Sequence, residues 1–316
     1  RAGRIQGLEW DRDSIGETSF AAGFNAKATK KYSIALGSIA YAGGDNSVAI
    51  GREVTSTANS SIAIGLNCTA AGQNSVAIGN ANASTSNSGL SIGYGNSAFG
   101  DYTVAIGYQN QAYGNNSFAF GDENSAYGLN SICGGYFSFT NADFSTAIGQ
   151  NLSADSYASI VLGYGNEFGS FSSNTWVDTD PLFVLGNGFS GAHNALTILK
   201  NGNVGINESE PDVLLHVNGD TRLGTNGTPI NEIIKVTVNQ DVASIAAAGT
   251  VLESFAVTGA ATGSTVYISP ADALDDGLII AYARVASAGS IEVKFSNISG
   301  GTIDPAGMDY YITVIR

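Results

Sequence analysis

The sequence predicts an all-β chain: a thin parallel β-roll solenoid, then a β connector, then a small antiparallel β-sandwich or jelly roll. Three observations predict it. A short block closing on glycine recurs every 14 residues through about half of the chain. Glycine fills 41 of 316 positions, and charged residues reach only 13 % where about 25 % is usual. Apolar content is carried by small and β-branched residues, with one Met and five Pro, which suits strands better than helices.

The solenoid rests on the repeat. Ser19-Phe-Ala-Ala-Gly23, Ser33-Ile-Ala-Leu-Gly37, Ser47-Val-Ala-Ile-Gly51, Ser61-Ile-Ala-Ile-Gly65 and Ser75-Val-Ala-Ile-Gly79 each begin 14 residues after the last. The register holds through Gly89–Gly93, Thr103–Gly107, Ser117–Gly121, Ser131–Gly135, Ser145–Gly149 and Ser159–Gly163, giving eleven coils. Alternation of small and large residues within a block marks a strand with unlike faces: Val48 and Ile50 on one, Ser47, Ala49 and Gly51 on the other. Five residues past each glycine stands a small residue, as at Ala28, Ala42, Ser56 and Ala70, and two further on Gly44, Gly72, Gly100, Gly114 and Gly128 read as turn glycines. Coils this thin must stack in parallel to satisfy their backbone groups. At about 4.8 Å per strand spacing, eleven coils extend roughly 50 Å.

Two columns stand out along the stack. Asn82, Asn96, Asn110 and Asn124 occupy one position in four successive coils and read as an amide ladder. Phe99, Tyr113 and Tyr127 form an aromatic column, read first as structural stacking and second as a carbohydrate contact.

The Ser-Val-Ala-Ile-Gly repeat at period 14, with its small residue in the second half, resembles the head repeat of YadA-like trimeric autotransporter adhesins, a repeat also borrowed by bacteriophage tail fibres. The resemblance covers residues 19 to about 168. It implies a left-handed parallel β-roll packed as a homotrimer. Calcium-binding nonapeptide solenoids are excluded because Gly-Gly-x-Gly-x-Asp is absent. No Thr-x-Thr ladder runs through the coils to suggest ice binding.

Beyond Gly163 the register fails at its next expected block, Ser173 to Val177, so the rod is expected to end near residue 170. The segment Asp180-Pro-Leu-Phe-Val-Leu-Gly186, the Lys200-Asn201-Gly202-Asn203 turn, Pro211 and Leu214-Leu-His-Val-Asn-Gly219 resemble the connector of phage and bacterial fibre proteins; the turn reads as a hairpin without that likeness. Strand signals at 233–238, 251–257, 265–269, 278–285, 291–295 and 310–315 predict the sandwich, which resembles compact domains at the ends of phage fibres. The resulting division is 1–18 as a lead-in, 19–170 as β-roll, 171–230 as connector and 231–316 as the sandwich.

The net charge of −14 argues against a nucleic-acid partner. No apolar run approaches the length of a membrane span. A chain that starts at Arg1 with Met308 as its sole methionine is expected to be processed or truncated. Cys68 and Cys133 lie about 4.6 coils apart, roughly 22 Å at strand spacing, too far to bridge. His193 and His216 stand in no nucleophile or metal pattern, and Asp275-Asp276, near Asp272, Asp304 and Asp309, reads as a solvated turn. No catalytic residue, metal or cofactor is expected.

The leading expectation is a non-catalytic, homotrimeric fibre of a virus-type particle. Its β-roll would space a receptor-binding tip, residues 231–316, away from the virion. Tyr267, Tyr282, Arg284, Tyr310 and Tyr311 are the candidate contacts to a host-surface glycan or protein, and Phe99, Tyr113 and Tyr127 the secondary ones. Other particle proteins would engage the N-terminal end. The alternatives are the passenger of a bacterial trimeric surface adhesin, disfavoured by a C-terminus without a membrane-strand anchor, and a glycan depolymerase, disfavoured by coils too thin to carry a broad groove.

Overall fold

A computed structural model of the chain describes residues 15–188, 193–225 and 227–316. Residues 1–14 of the expected lead-in, and with them most of the end assigned to particle partners, lie outside the described residues. The chain divides into two compact units, Arg1–Asn218 and Gly219–Arg316.

In the first unit each coil contributes one long and one short strand, as in Val48–Arg52 and Thr55–Ser56. The long strands stack in parallel with one-coil register, Val48 on Ile62 and Gly51 on Gly65, and the short strands build a second, ten-stranded parallel sheet. The strand alternation resolves with the small residues inside. Ala35, Ala49, Ala63, Ala77, Ala105 and Ala119 are wholly buried, as are Ala28, Ser56 and Ala70 from the short strands. The larger side chains point outward: Ile34, Ile132, Ile148 and Ile160 are 37–44 % exposed. A coil with so narrow an interior is filled by methyl and hydroxyl groups, because protein interiors pack at close to crystal density.

The leading serine or threonine has a task of its own in most blocks. Its hydroxyl donates to the carbonyl three residues back, Ser47 to Gly44 at 2.7 Å, Ser61 to Ala58 at 2.6 Å and Thr103 to Gly100 at 2.6 Å, whereas the buried hydroxyls of Ser75 and Ser117 have no partner among the described residues. This reinforces the turn, in which the same carbonyl also accepts the serine's backbone amide, Ser47 N to Gly44 O at 3.3 Å, and it gives the buried hydroxyl an acceptor. The closing glycine is required twice over. Gly51 has φ of 137°, and a Cβ there would lie 1.9 Å from the Gly65 carbonyl oxygen. Gly44 opens a turn, as read, but its φ is not left-handed; it is small because a Cβ would meet the Ala58 carbonyl oxygen at 2.0 Å. The left-handed turn positions are held instead by residues such as Asn46 and Glu53.

The rod does not end near residue 170. Pro181–Asn187 pairs in parallel with Ile160–Tyr164, setting Val184 on Val161 and Gly186 on Gly163. The block Phe-Val-Leu-Gly186 is thus a twelfth rung, reached after 23 residues rather than 14. The ladder then turns antiparallel through Asn194–Leu199 and Val204–Ile206 and finishes on Leu215–Val217. Lys200 to Asn203 form the predicted hairpin turn, with the Gly202 amide donating to Leu199 O at 3.0 Å. Backbone pairing places the connector through Val217 in the same sheet as the coils.

The second unit is an antiparallel sandwich. One sheet has the order Ile233–Gln240, Met308–Ile315, Thr265–Pro270; the other Thr250–Ala256, Ser290–Asn297, Leu278–Ser287. All six predicted strands form. Phe255, Ile291, Val293 and Phe295 from one sheet and Tyr310, Ile312 and Val314 from the other make a single core. No helix among the described residues is long and apolar enough to cross a membrane.

Candidate functional site

Strand alternation decides which sandwich side chains reach solvent. Tyr310, Ile312 and Val314 point into the core, and Tyr311 points out. Tyr310 is therefore not available to a receptor, contrary to the sequence expectation: it is fully buried and meets Phe255 and Phe295 edge-on at 5.3 and 5.9 Å between ring centres.

The other four candidates divide between the two outer faces. Tyr267 and Tyr311, 62 % and 55 % exposed, share one sheet face: Tyr267 lies opposite Thr313, and Tyr311 opposite Ser269. Lys235, Thr237, Tyr311 and Thr313 line a shallow groove of about 360 Å³ there. Tyr282 and Arg284 belong to the opposite outer face. Arg284 lies across from Glu292, and Tyr282 across from Lys294. Glu292 Oε1 accepts from Arg284 Nε at 2.9 Å and from Tyr282 Oη at 3.0 Å. The hydrogen bonds from Arg284 and Tyr282 hold the Glu292 carboxyl below the usual range, and the same pairing raises the guanidinium further.

The aromatic column of the solenoid forms as read, but its geometry narrows its use. Phe99 and Tyr113 stack at 4.9 Å with planes 14° apart, and Tyr113 and Tyr127 at 4.8 Å and 5°. Both faces of Tyr113 are covered by its neighbours, so solvent sees ring edges and hydroxyls. A sugar that packs its C–H face on an aromatic face has no access to the middle ring. Tyr113 Oη donates to Gln111 Oε1. Burial first, and Tyr127 second, push its phenol upward.

A concave region missed by sequence reading lies where the coils meet the connector. A cavity of about 580 Å³ is walled by Phe171, Asp180, Leu199, Asn201 and Glu210. The segment 165–180 that separates the eleventh and twelfth rungs borders it. Lys200 fastens that segment: its Nζ donates to Ser156 Oγ at 2.8 Å and sits 5.2 Å from the Trp176 ring and 5.9 Å from Tyr157. Desolvation lowers its ammonium pKa, with Asp180 acting in the opposite sense. The only sequence signal for this arrangement is the interval from Gly163 to Gly186.

Among the described residues no group of three His, Cys, Asp or Glu side chains is placed to hold a metal ion. His216 has Asp212 Oδ1 at 3.1 Å and Glu208 Oε2 at 3.9 Å. Asp275 closes a turn through its carbonyl, which accepts from the Leu278 amide at 2.9 Å. Cys68 and Cys133 are free and buried.

Glycine-closed 14-residue coils with a small-residue interior define a parallel β-solenoid of the adhesin-head class. The YadA head domain repeat matches residues 14–40, 28–53, 56–82, 84–110, 112–132 and 135–151, so the coils it covers are of the YadA head type. Such heads are trimeric parts of surface-exposed adhesins, which points to an adhesin-type fibre. A search of curated proteins finds no match to the chain.

Proposed function

We propose that the chain is a homotrimeric, non-catalytic attachment fibre of a virus-type particle, with host-surface contacts carried by the Gly219–Arg316 sandwich. The observation that carries this reading is the inverted burial of the head. Alanine and serine fill the coil, and the isoleucines and valines that alternate with them are left partly exposed on the outside of one protomer. Each half-exposed isoleucine would gain roughly 1 kcal/mol or more on being covered, so association of copies supplies the stability that a thin coil lacks.

The host ligand in this reading is a surface glycan or protein. No metal or cofactor takes part, and neither nucleic acid nor membrane insertion is involved. The fibre sits on the virion surface, with its N-terminal end engaging other particle proteins. The connector followed by a compact sandwich supports a particle fibre. A second reading, the passenger of a bacterial trimeric surface adhesin, is favoured by the matched repeat itself.

The test is attachment of the labelled full chain to a panel of bacterial cells, with a form lacking 219–316 alongside. Saturable attachment that the shortened form loses supports the proposal. Undiminished attachment by the head alone would move the contacts to the solenoid. Release of oligosaccharide from host capsule would replace the non-catalytic reading with a depolymerase.

A further inference from the structure

On the sheet of Thr250–Ala256, Ser290–Asn297 and Leu278–Ser287, the outward side chains form a patch unlike the rest of this acidic protein. Glu292 takes the Nε–H of Arg284 and so fixes the guanidinium plane. Its outward amino pair meets no acceptor among the described residues, and the Arg284 side chain is 61 % exposed. Lys294 follows Glu292 at the next outward position and has no ion pair among the described residues. The Tyr282 ring, anchored through its hydroxyl to Glu292, is 40 % exposed; Ile279, 43 % exposed, precedes it on the same strand, and Leu252, 54 % exposed, lies on the far side of Lys294.

We propose that Arg284, Lys294 and Tyr282 form a binding site for a carboxylate-bearing saccharide of the uronic-acid type. This deepens the attachment reading above and rests on it for its biological role. The planar outer edge of a guanidinium already held in place matches a carboxylate with two parallel hydrogen bonds, and little side-chain entropy remains to be lost. Arg284 and Lys294 against Glu292 leave one net positive charge, which suits a singly charged carboxylate. The exposed tyrosine ring, beside Lys294, offers a platform for the C–H face of the sugar. The two-tyrosine face on the other sheet carries Lys235 without a fixed guanidinium, so it presents no planar fork for a carboxylate.

The test is calorimetric titration of the assembled full chain with oligogalacturonate, a neutral galacto-oligosaccharide of equal length, and inorganic phosphate. The expected result is oligogalacturonate binding at least tenfold tighter than the neutral sugar and not displaced by equimolar phosphate. Arg284→Lys, which keeps the charge and loses the fork, should weaken it at least tenfold. Lys294→Gln should weaken it severalfold, and Lys235→Gln on the other sheet should leave it unchanged. Failure of the wild type to bind oligogalacturonate, equal binding of the neutral sugar, or full affinity in Arg284→Lys would each overturn the proposal. Dissociation of the assembly by Arg284→Gln would mark the patch as a contact between copies and overturn it as well. Cell attachment separates the two readings: attachment undiminished in Arg284→Lys sinks this site and leaves the fibre, whereas fork-dependent sugar binding by a chain that attaches to no cell supports the site and sinks the fibre.

Discussion

The amide of Asn110 donates from Nδ2 to Oδ1 of Asn96, one coil earlier, at 3.1 Å, and both side chains are wholly buried. The same Nδ2 reaches Ile106 O and Gly121 O, and the Asn110 backbone amide donates to Asn96 Oδ1 at 3.0 Å. Each asparagine thus ties its own coil to the next one. Removing one member leaves buried backbone groups unpaired, each at about 1–3 kcal/mol. Asn110→Ala should lower the unfolding free energy by about 3 kcal/mol in a denaturant titration. Replacing Asn82, Asn96, Asn110 and Asn124 together with Val should cost less than the four single changes summed, because Val54 and Leu152 already fill this column in other coils.

The glycine column gives a sharper contrast. A Cβ at Gly79, where φ is 123°, would lie 2.1 Å from the Gly93 carbonyl oxygen, whereas nothing lies within 4 Å of one at Gly202. Gly79→Ala should destabilise the fold by at least about 3 kcal/mol, since strain and backbone overlap add. Gly202→Ala should cost about 1 kcal/mol through its left-handed φ alone. Equal melting shifts for the two would contradict the coil register.

Cys133 replaces an alanine inside the coil, and burial pushes its thiol up to about 12 from an ordinary value near 9. The folded chain therefore holds a proton that the unfolded chain releases. That stability is complete below about pH 9 and falls by up to about 1.4 kcal/mol per pH unit as pH rises toward 12. Denaturant midpoints measured from pH 8 to 11 should show the fall in the wild type and a reduced one in Cys133→Ala. Thiol reagents at pH 8 should label neither cysteine before unfolding.

Tyr310 separates packing from binding. Its hydroxyl meets no hydrogen-bonding group among the described residues. Tyr310→Phe should leave stability unchanged or raised, and Tyr310→Ala should cost about 3–5 kcal/mol by opening a cavity beside Phe255 and Phe295. Loss of host attachment in a folded Tyr310→Phe variant would contradict its core assignment.

Much of the fold was legible because one coil is one sequence period, so counting alone fixed the register from Gly23 to Gly163. Even the irregular ninth block makes sense: Gly134 stands against the Phe120 ring, where a Cβ would lie 2.1 Å from Cζ. The twelfth rung was hidden because pairing tolerates an insertion that a fixed period does not, and the 23-residue interval before Gly186 looks like an end. Tyr310 was misplaced although its phase with Ile312 and Val314 carries the answer. The division of the remaining tyrosines between two faces depends on which strands share a sheet, and the irregular step between Ile280 and Tyr282 sets the phase locally. The Lys200 fastening joins residues 44 apart and has no local signature.

The central claim, that the head is one protomer of a three-chain fibre, is tested most directly by light scattering on the purified chain at micromolar concentration. Three chains per particle are expected, in an assembly that resists heat and detergent. One chain per particle, folded and stable with its isoleucine column in water, would contradict it.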